Sequence, residues 1–397
     1  MYDQQQVFSD SLYVMVYGGS MVFALIACIY LLFRRSNAIA PEVTPPLRLR
    51  RWVAAFFAIM VMSHISWFVL VKYSLLFGNP LINLIVAAGL DCVVLIPFIM
   101  GMLLAMLQDR RRPLWPFVFA SLPVAALFAV IAYRHDLVLV SWVQGYFMLI
   151  TIVIFIYMAY AVRQYSLWLR HNYADLEHKE VWQSFLILAF CLIVLSFYVY
   201  SSSGMTYEYV LQTFDYLFVV ILLWRVETLQ ALDNNDDNDD ITEATGLEEV
   251  IVLHSSASQT TIPGNIGLLL EQYCEGGQLY LRKDITLSEL SKAIGTNRYY
   301  LSLYFTRQDT TYNAYINGLR IQHFVRLYQE AVAADRSFTA QQLAQESGFR
   351  SYSTFATAFK QRMGQTVMKW MRNVEKYPHK LVAMDCISSC YSQNMQK

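Results

Sequence analysis

Seven runs of predominantly apolar residues fill the first 230 positions, and they constrain the fold more than any other feature. They cover Leu12–Phe33, Trp52–Val71, Leu81–Leu107, Leu114–Tyr133, Leu137–Val162, Trp182–Ser202 and Tyr209–Trp224. A hydrocarbon layer about 30 Å thick is crossed by roughly 20 residues of α-helix, because each backbone polar group must find its partner inside the segment. Each run is therefore expected to be a transmembrane helix, with Pro116 and Pro123 breaking the fourth and the seventh rather short. Composition agrees: 56% of residues are hydrophobic and only 15% charged, against about 25% charged in soluble proteins. The charge is also unevenly placed, with 14 Lys+Arg and 12 Asp+Glu in 1–230 and the remaining 34 charged residues in 231–397.

The loops between the runs predict an orientation. Arg34, Arg35, Arg48, Arg50, Arg51, Arg110, Arg111, Arg112, Arg163, Arg170 and Lys179 fall in alternate loops, whereas the others hold only Lys72 and Arg134. By the positive-inside rule the basic loops are cytoplasmic, the amino terminus is outside and everything after Trp224 is cytoplasmic. The first run is too long for a signal-peptide core and reads as a retained span. Residues 1–226 are thus expected to be a seven-span domain, and the lipid bilayer its first partner. Residues 227–263 pass through Asp233, Asp236, Asp237, Asp239 and Asp240, an acidic stretch expected to be a disordered linker. Its role stands open: a solvated tether, or a strip that competes with DNA for the basic domain that follows or keeps that domain off anionic lipid. Residues 378–397 read as a flexible tail.

Residues 264–377 carry 14 Lys+Arg against 9 Asp+Glu, a surplus that suits a polyanionic partner. Two similar blocks lie here. Thr286–Glu289 and Thr339–Gln342 match the capping box of a helix start. A short amphipathic helix follows each and ends at Gly295 or Gly348, where a tight turn needs positive φ. A second helix then presents a buried pair, Leu301 and Phe305 or Phe355 and Phe359. Thr311–Ala334 joins the blocks as one helix with Tyr312, Tyr315, Ile316, Leu319, Phe324, Val325 and Tyr328 as its apolar side. Two ordinary helical hairpins would show the same periodicity. The outer faces of the second helices favour double-stranded DNA: Arg298, Arg307, Arg350, Lys360 and Arg362 stand beside Asn297, Tyr299, Ser302, Tyr352, Ser353 and Thr357. A linking helix of about 30 Å would set the two second helices near one DNA turn apart.

The segments ITLSELSKAIGTNRYYLSLYF, AYINGLRIQHFVRLY and FTAQQLAQESGFRSYSTFATAFKQRMGQTVMKWMR resemble the arabinose-regulator (AraC/XylS) family of bacterial transcription factors. The resemblance covers about Tyr280–Asn373. It implies recognition helices at Asn297–Gln308 and Ser351–Arg362, with Tyr299, Ser302 and Leu303 facing bases from the first and Tyr352, Ser353, Ala356 and Thr357 from the second. It also implies a bacterial source and a homodimer by analogy. Leu303 and Thr357 stand where the family often has Arg, so bidentate guanine readout is expected to be weak there, and Val367 replaces a usual Pro. With the spans in front, the chain resembles membrane-bound regulators of this family, at home in the bacterial inner (cytoplasmic) membrane.

The fold class expected is all-α: a seven-span transmembrane bundle, then a cytoplasmic all-helical domain with two helix-turn-helix units and a linking helix. Inside the spans His64, Asp91 and Asp215 are candidate sensing residues, since an ionisable group at membrane depth must find a partner. An apolar ligand or a membrane protein would be the signal. The loop Arg163–Val181 mixes Trp168, Leu169 and Tyr173 with Asp175, Glu177 and Glu180, and reads either as a coupling element that contacts the basic domain or as an amphipathic loop on the membrane. The six cysteines show neither a disulfide nor a zinc spacing, and no phosphate loop, HExxH or catalytic triad is found. No cofactor, metal or catalytic residue is expected. The alternative class is a transporter or intramembrane enzyme with a helix-turn-helix-like protein-interaction tail.

Overall fold

A computed structural model of the chain describes residues 10–34, 37–72, 80–134, 138–187, 189, 205–232 and 265–376. Among them no strand occurs and helices dominate. They fall into two compact units. The first comprises Met1–Ser166 and His178–Asp233, the second Leu167–Glu177 and Asn234–Lys397. The acidic linker beyond Leu232 and the tail 378–397 lie outside the described residues.

The first unit contains α1 (Ser11–Phe33), α2 (Leu47–Trp67, continued by a wider π turn Phe68–Lys72), α3 (Pro80–Met106), α4 (Trp115–Arg134), α5 (Val138–Asn172, whose end from Leu167 belongs to the second unit) and α6 (Met205–Thr228). These six helices are long and apolar enough to cross a membrane. The expected span Trp182–Ser202 falls largely outside the described residues, with 182–187 helical. The sequence places breaks and ends differently from the structure in three instances. Pro116 is the second residue of α4 and Pro123 sits inside it. A first-turn proline gives up an amide that has no intrahelical partner, and neighbouring groups re-satisfy the carbonyl freed in a span. α6 extends to 24 residues, so the last run is not short. α5 continues ten residues past Val162, which puts Arg163 and Arg170 on a helix rather than in a loop.

Packing follows chain order, α1 on α2, α2 on α3 and α3 on α4, while α6 returns to lie on α1 and α2. Arg50 near the start of α2 is buried and donates from Nε to the Leu31 carbonyl at 2.6 Å. That carbonyl lies in the last turn of α1, where cations are favoured. Glu227 at the end of α6 accepts from the Tyr30 hydroxyl at 2.7 Å and from the Ile39 amide at 3.0 Å. The faces turned away from these contacts expose Met15, Ile26, Phe33, Met148, Leu149 and Ile156.

In the second unit, a turn of helix α7 (Ile266–Leu269) leads through a π turn into α8 (Leu287–Ala293) and α9 (Arg298–Arg307). The long α10 (Tyr312–Ala333) follows, then α11 (Ala340–Glu346), α12 (Tyr352–Met363) and α13 (Val367–Lys376). There are two cores. Leu287, Leu290, Ile294, Leu301 and Phe305 surround the first half of α10 through Tyr312, Tyr315 and Ile316. Leu343, Phe349, Phe355, Phe359, Val367 and Trp370 surround its second half through Ile321, Phe324 and Tyr328. Val367 is the first residue of α13 and is buried.

Between the cores lies Arg320, only 1% exposed. Its Nε donates to the Tyr280 carbonyl at 2.7 Å and its Nη2 to the Arg282 carbonyl at 2.7 Å, while the guanidinium lies 5.7 Å from the Phe349 ring centroid. One side chain thus ties the start of the first helix pair to the turn of the second. Burial lowers its pKa from the usual arginine value, and the carbonyls together with the aromatic face supply the solvation that water no longer provides.

Candidate nucleic-acid interface

Each helix pair begins with a full capping box. Thr286 Oγ1 accepts from the Glu289 amide at 3.2 Å while Glu289 accepts from the Thr286 amide at 2.9 Å; Thr339 and Gln342 do the same at 3.1 and 3.0 Å. Such caps fix where α8 and α11 start, and the glycines fix where the chain turns. Gly295 and Gly348 adopt φ of +70° and +88°, a region in which L residues are strained. At Gly348 space matters as well, because a Cβ there would lie 2.8 Å from the Leu281 Cα.

The turns deliver α9 and α12. Asn297 caps α9 by accepting from the Tyr299 amide at 2.8 Å, and Ser351 caps α12 by accepting from the Thr354 amide at 3.3 Å. Leu301 with Phe305, and Phe355 with Phe359, face the cores. The sequence-predicted set is only partly turned outward, and Tyr352 and Ala356 also pack against the second core. Asn297, Arg307, Ser353, Thr357, Lys360 and Arg362 are exposed, while Arg298, Tyr299, Ser302, Leu303, Arg350, Tyr352 and Ala356 are half-buried. Tyr352, Ala356, Thr357 and Lys360 line an open groove of about 870 Å³, closed on its other side by Thr366, Val367 and Met368. Most of these residues lie on α9 or α12, with Asn297 at the cap of α9 and Arg350 two residues before α12.

Arg298, Arg350 and Arg362 are engaged within the unit. Arg298 donates to Asn172 Oδ1 from Nη2 at 2.8 Å and from Nε at 3.2 Å. Arg350 Nη1 lies 3.4 Å from Asp284 Oδ1. The Arg362 guanidinium rests against Gly318 of α10, where an added Cβ would meet Nη1 at 2.6 Å. The sequence offered contact between the loop 163–181 and the basic domain as one of two readings, but it did not single out Asn172 beside α9 or Glu177 beside α12, and it missed Asn313, Asn317 and Arg320 on α10. A signal was present: these three recur at i, i+4 and i+7, a polar stripe along one side of an amphipathic helix.

The candidate sensing residues lie together in the first unit. His64 Nδ1 donates to the Met60 carbonyl at 2.8 Å, which leaves Nε2 facing Ser20 Oγ at 3.1 Å, Gln212 Oε1 at 3.4 Å and Asp215 Oδ2 at 3.4 Å. Tyr17 donates to the His64 carbonyl at 2.6 Å. Asp91 accepts from the Trp67 indole and from Ser63, one residue before His64. Three helices, α1, α2 and α6, thus meet at His64, with Asp91 of α3 joined through Trp67 and Ser63. Among the described residues no cluster of three His, Cys, Asp or Glu side chains could hold a metal ion.

Comparison with known proteins adds one finding to this geometry. Residues 290–373 match a family model described as a helix-turn-helix domain. The matched stretch runs from α8 into α13 and takes in both helix pairs and α10. The match supports an AraC-family DNA-binding domain and, with it, a DNA-binding transcription regulator. No curated protein and no solved structure matches the chain.

Proposed function

We propose that the protein is a membrane-anchored, sequence-specific transcription regulator that couples a signal sensed in or at the membrane to promoter binding. The observation that carries this reading is the family match over a duplicated pair of capped helices. α9 and α12 then act as recognition helices in successive major grooves of double-stranded DNA, with a linking helix of 22 residues, or about 33 Å, setting a spacing close to one DNA turn. Asn297, Arg298, Arg307, Arg350, Lys360 and Arg362 hold phosphates, while Tyr299, Ser302, Leu303, Tyr352, Ser353, Ala356 and Thr357 meet base edges.

Membrane anchoring is supported by the six apolar helices. The full reading is seven spans with the amino terminus outside and the DNA-binding domain in the bacterial cytoplasm, homodimeric on its operator. The polar cluster around His64, Asp91 and Asp215 serves as the sensing site: an apolar ligand or a membrane protein that binds two arrangements of α1, α2 and α6 unequally would shift their balance. Genome-wide crosslinking of the tagged full-length protein tests the reading, paired with a variant in which Arg298, Arg350 and Lys360 are reversed in charge. Discrete sites that vanish in the variant are expected. Absence of sites under every growth condition would overturn it.

A further inference from the structure

Leu167–Glu177 belongs by its contacts to the second unit, although about 90 residues of sequence separate it from α7. The middle of this strap is built in. Tyr173 forms an antiparallel bridge with Thr286, the cap of α8. The Ala174 side chain is fully buried in the first core, and its carbonyl accepts from Asn313 Nδ2 at 2.6 Å and from Asn317 Nδ2 at 3.4 Å. Those contacts account for two of the three members of the polar stripe on α10. The third, Arg320, lies in the field of the buried Asp175.

The two ends of the strap reach the recognition helices. Asn172 donates from Nδ2 to the Trp168 carbonyl at 2.7 Å, which turns its Oδ1 toward the guanidinium of Arg298, the first residue of α9. Glu177 Oε2 accepts from the Thr354 hydroxyl at 3.3 Å, and Thr354 is the third residue of α12. Its neighbours there include the Ser351 hydroxyl, 3.1 Å from Thr354 Oγ1. The first turn of a helix carries amides without intrahelical partners and a partial positive charge, and favours an anionic group. Hydroxyls and amides at such a turn, and an arginine at the other, are the groups that hold DNA phosphates. A carboxylate and an amide oxygen of the same chain sit on them.

We propose that Leu167–Glu177 is an intrachain partner of the DNA-binding surface, its Asn172 and Glu177 occupying phosphate positions on the first turns of α9 and α12, so that DNA and the strap compete. The inference rests on the DNA-binding reading given above. A duplex that seats both recognition helices must displace Asn172 from Arg298 and Glu177 from Thr354. The strap is continuous with α5, so whatever draws it away from the second unit raises DNA affinity.

The test uses the full-length protein in lipid nanodiscs and a fluorescein-labelled duplex of mixed sequence at low salt. Asn172→Ala and Glu177→Ala each remove one competing contact and are expected to tighten binding by about threefold to tenfold, the range for loss of one hydrogen bond of roughly 1 kcal/mol. Glu271→Gln, which removes an exposed carboxylate elsewhere on the unit, is expected to leave affinity unchanged. Hydrogen exchange of the unmodified chain gives a second readout: added duplex should speed exchange at the amides of 173–177. Equal or weaker binding by the strap variants, equal tightening by Glu271→Gln, or slower exchange at 173–177 on DNA would each overturn the competition. If Arg298→Glu abolishes binding while the strap variants bind like the parent, only this inference falls. If no form binds the duplex, the DNA-binding reading falls with it.

Discussion

The two turn glycines offer a matched pair of perturbations, because Gly295 and Gly348 hold equivalent places in the two helix pairs but differ in what surrounds them. Both have positive φ, +70° and +88°. Alanine in that region is disfavoured by roughly 1–2 kcal/mol, offset in part by about 0.4–1 kcal/mol from the lower entropy of the unfolded chain. Around Gly295 an added Cβ meets nothing within 4 Å, so Gly295→Ala should weaken its unit by about 1 kcal/mol or less. At Gly348 the Cβ would lie 2.8 Å from both the Cα and the carbonyl oxygen of Leu281. Those are backbone atoms that no rotamer change can move, and overpacking of this kind adds about 1–3 kcal/mol. Gly348→Ala should therefore weaken its unit by roughly 2–4 kcal/mol.

A chain with two units does not unfold in one step, so a single global stability is not defined. The appropriate assay is native-state hydrogen exchange on the full-length protein, read at the amides of α8 and α9 for Gly295→Ala and of α11 and α12 for Gly348→Ala. The larger drop in opening free energy is expected at α11 and α12, with loss of protection extending to 279–282 because Leu281 must shift. Equal effects from the two substitutions, or a larger one at Gly295, would refute the steric argument.

Arg320→Met keeps the length of the side chain but strands the Tyr280 and Arg282 carbonyls; loss of two charge-assisted bonds should weaken the joint by about 3–5 kcal/mol. Exchange at α10 would report it, and an unchanged profile would show that the arginine is dispensable. Lys360→Ala, if Lys360 holds a phosphate, should lower the salt slope of duplex binding by about one, whereas Thr357→Ala should change sequence preference and leave the slope alone. The Cys274 thiol is buried in the first core and pushed up to about 12, chiefly by burial. It should resist alkylation at mildly alkaline pH until the unit unfolds. Because its folded pKa is raised, its contribution to stability is present below the unfolded thiol range and is lost as pH climbs toward about 12, which exchange measured against pH would detect. Asp215→Asn, paired with His64 in the polar cluster, should abolish the response to the membrane signal while constitutive binding of a duplex persists; a normal response would remove the cluster from the sensing role.

Local physics made much of this fold legible in the sequence. A capping box is four residues long, a turn that demands positive φ selects glycine, and an i, i+4 aromatic pair marks a buried helix face. Hence Thr286, Thr339, Gly295, Gly348, Phe355 and Phe359 could be placed before any coordinates. Asn297 and Ser351 fall at the helix caps expected of them. The apolar runs likewise announce membrane-length helices, since hydrocarbon thickness sets their length. Their ends were less legible: Arg50 can sit inside α2 because the Leu31 carbonyl, in the last turn of α1, solvates it, a partner that hydropathy does not contain.

Contacts between residues far apart in the chain were decided only by tertiary structure. The sequence marks His64, Asp91 and Asp215 as costly at membrane depth, but that α2 and α6 bring His64 within 3.4 Å of Asp215 follows from helix packing. Asn313, Asn317 and Arg320 read as ordinary polar positions of an amphipathic helix until the carbonyls of Ala174, Tyr280 and Arg282 are seen to meet them. The strap from Leu167 to Glu177 was the least legible part. Its sequence suits a membrane surface as well as a protein surface, because both bury aromatic residues and leave carboxylates outside. What distinguishes them is the partner that satisfies each polar group, and Thr286, Arg298, Asn313 and Thr354 are more than 100 residues away in the chain.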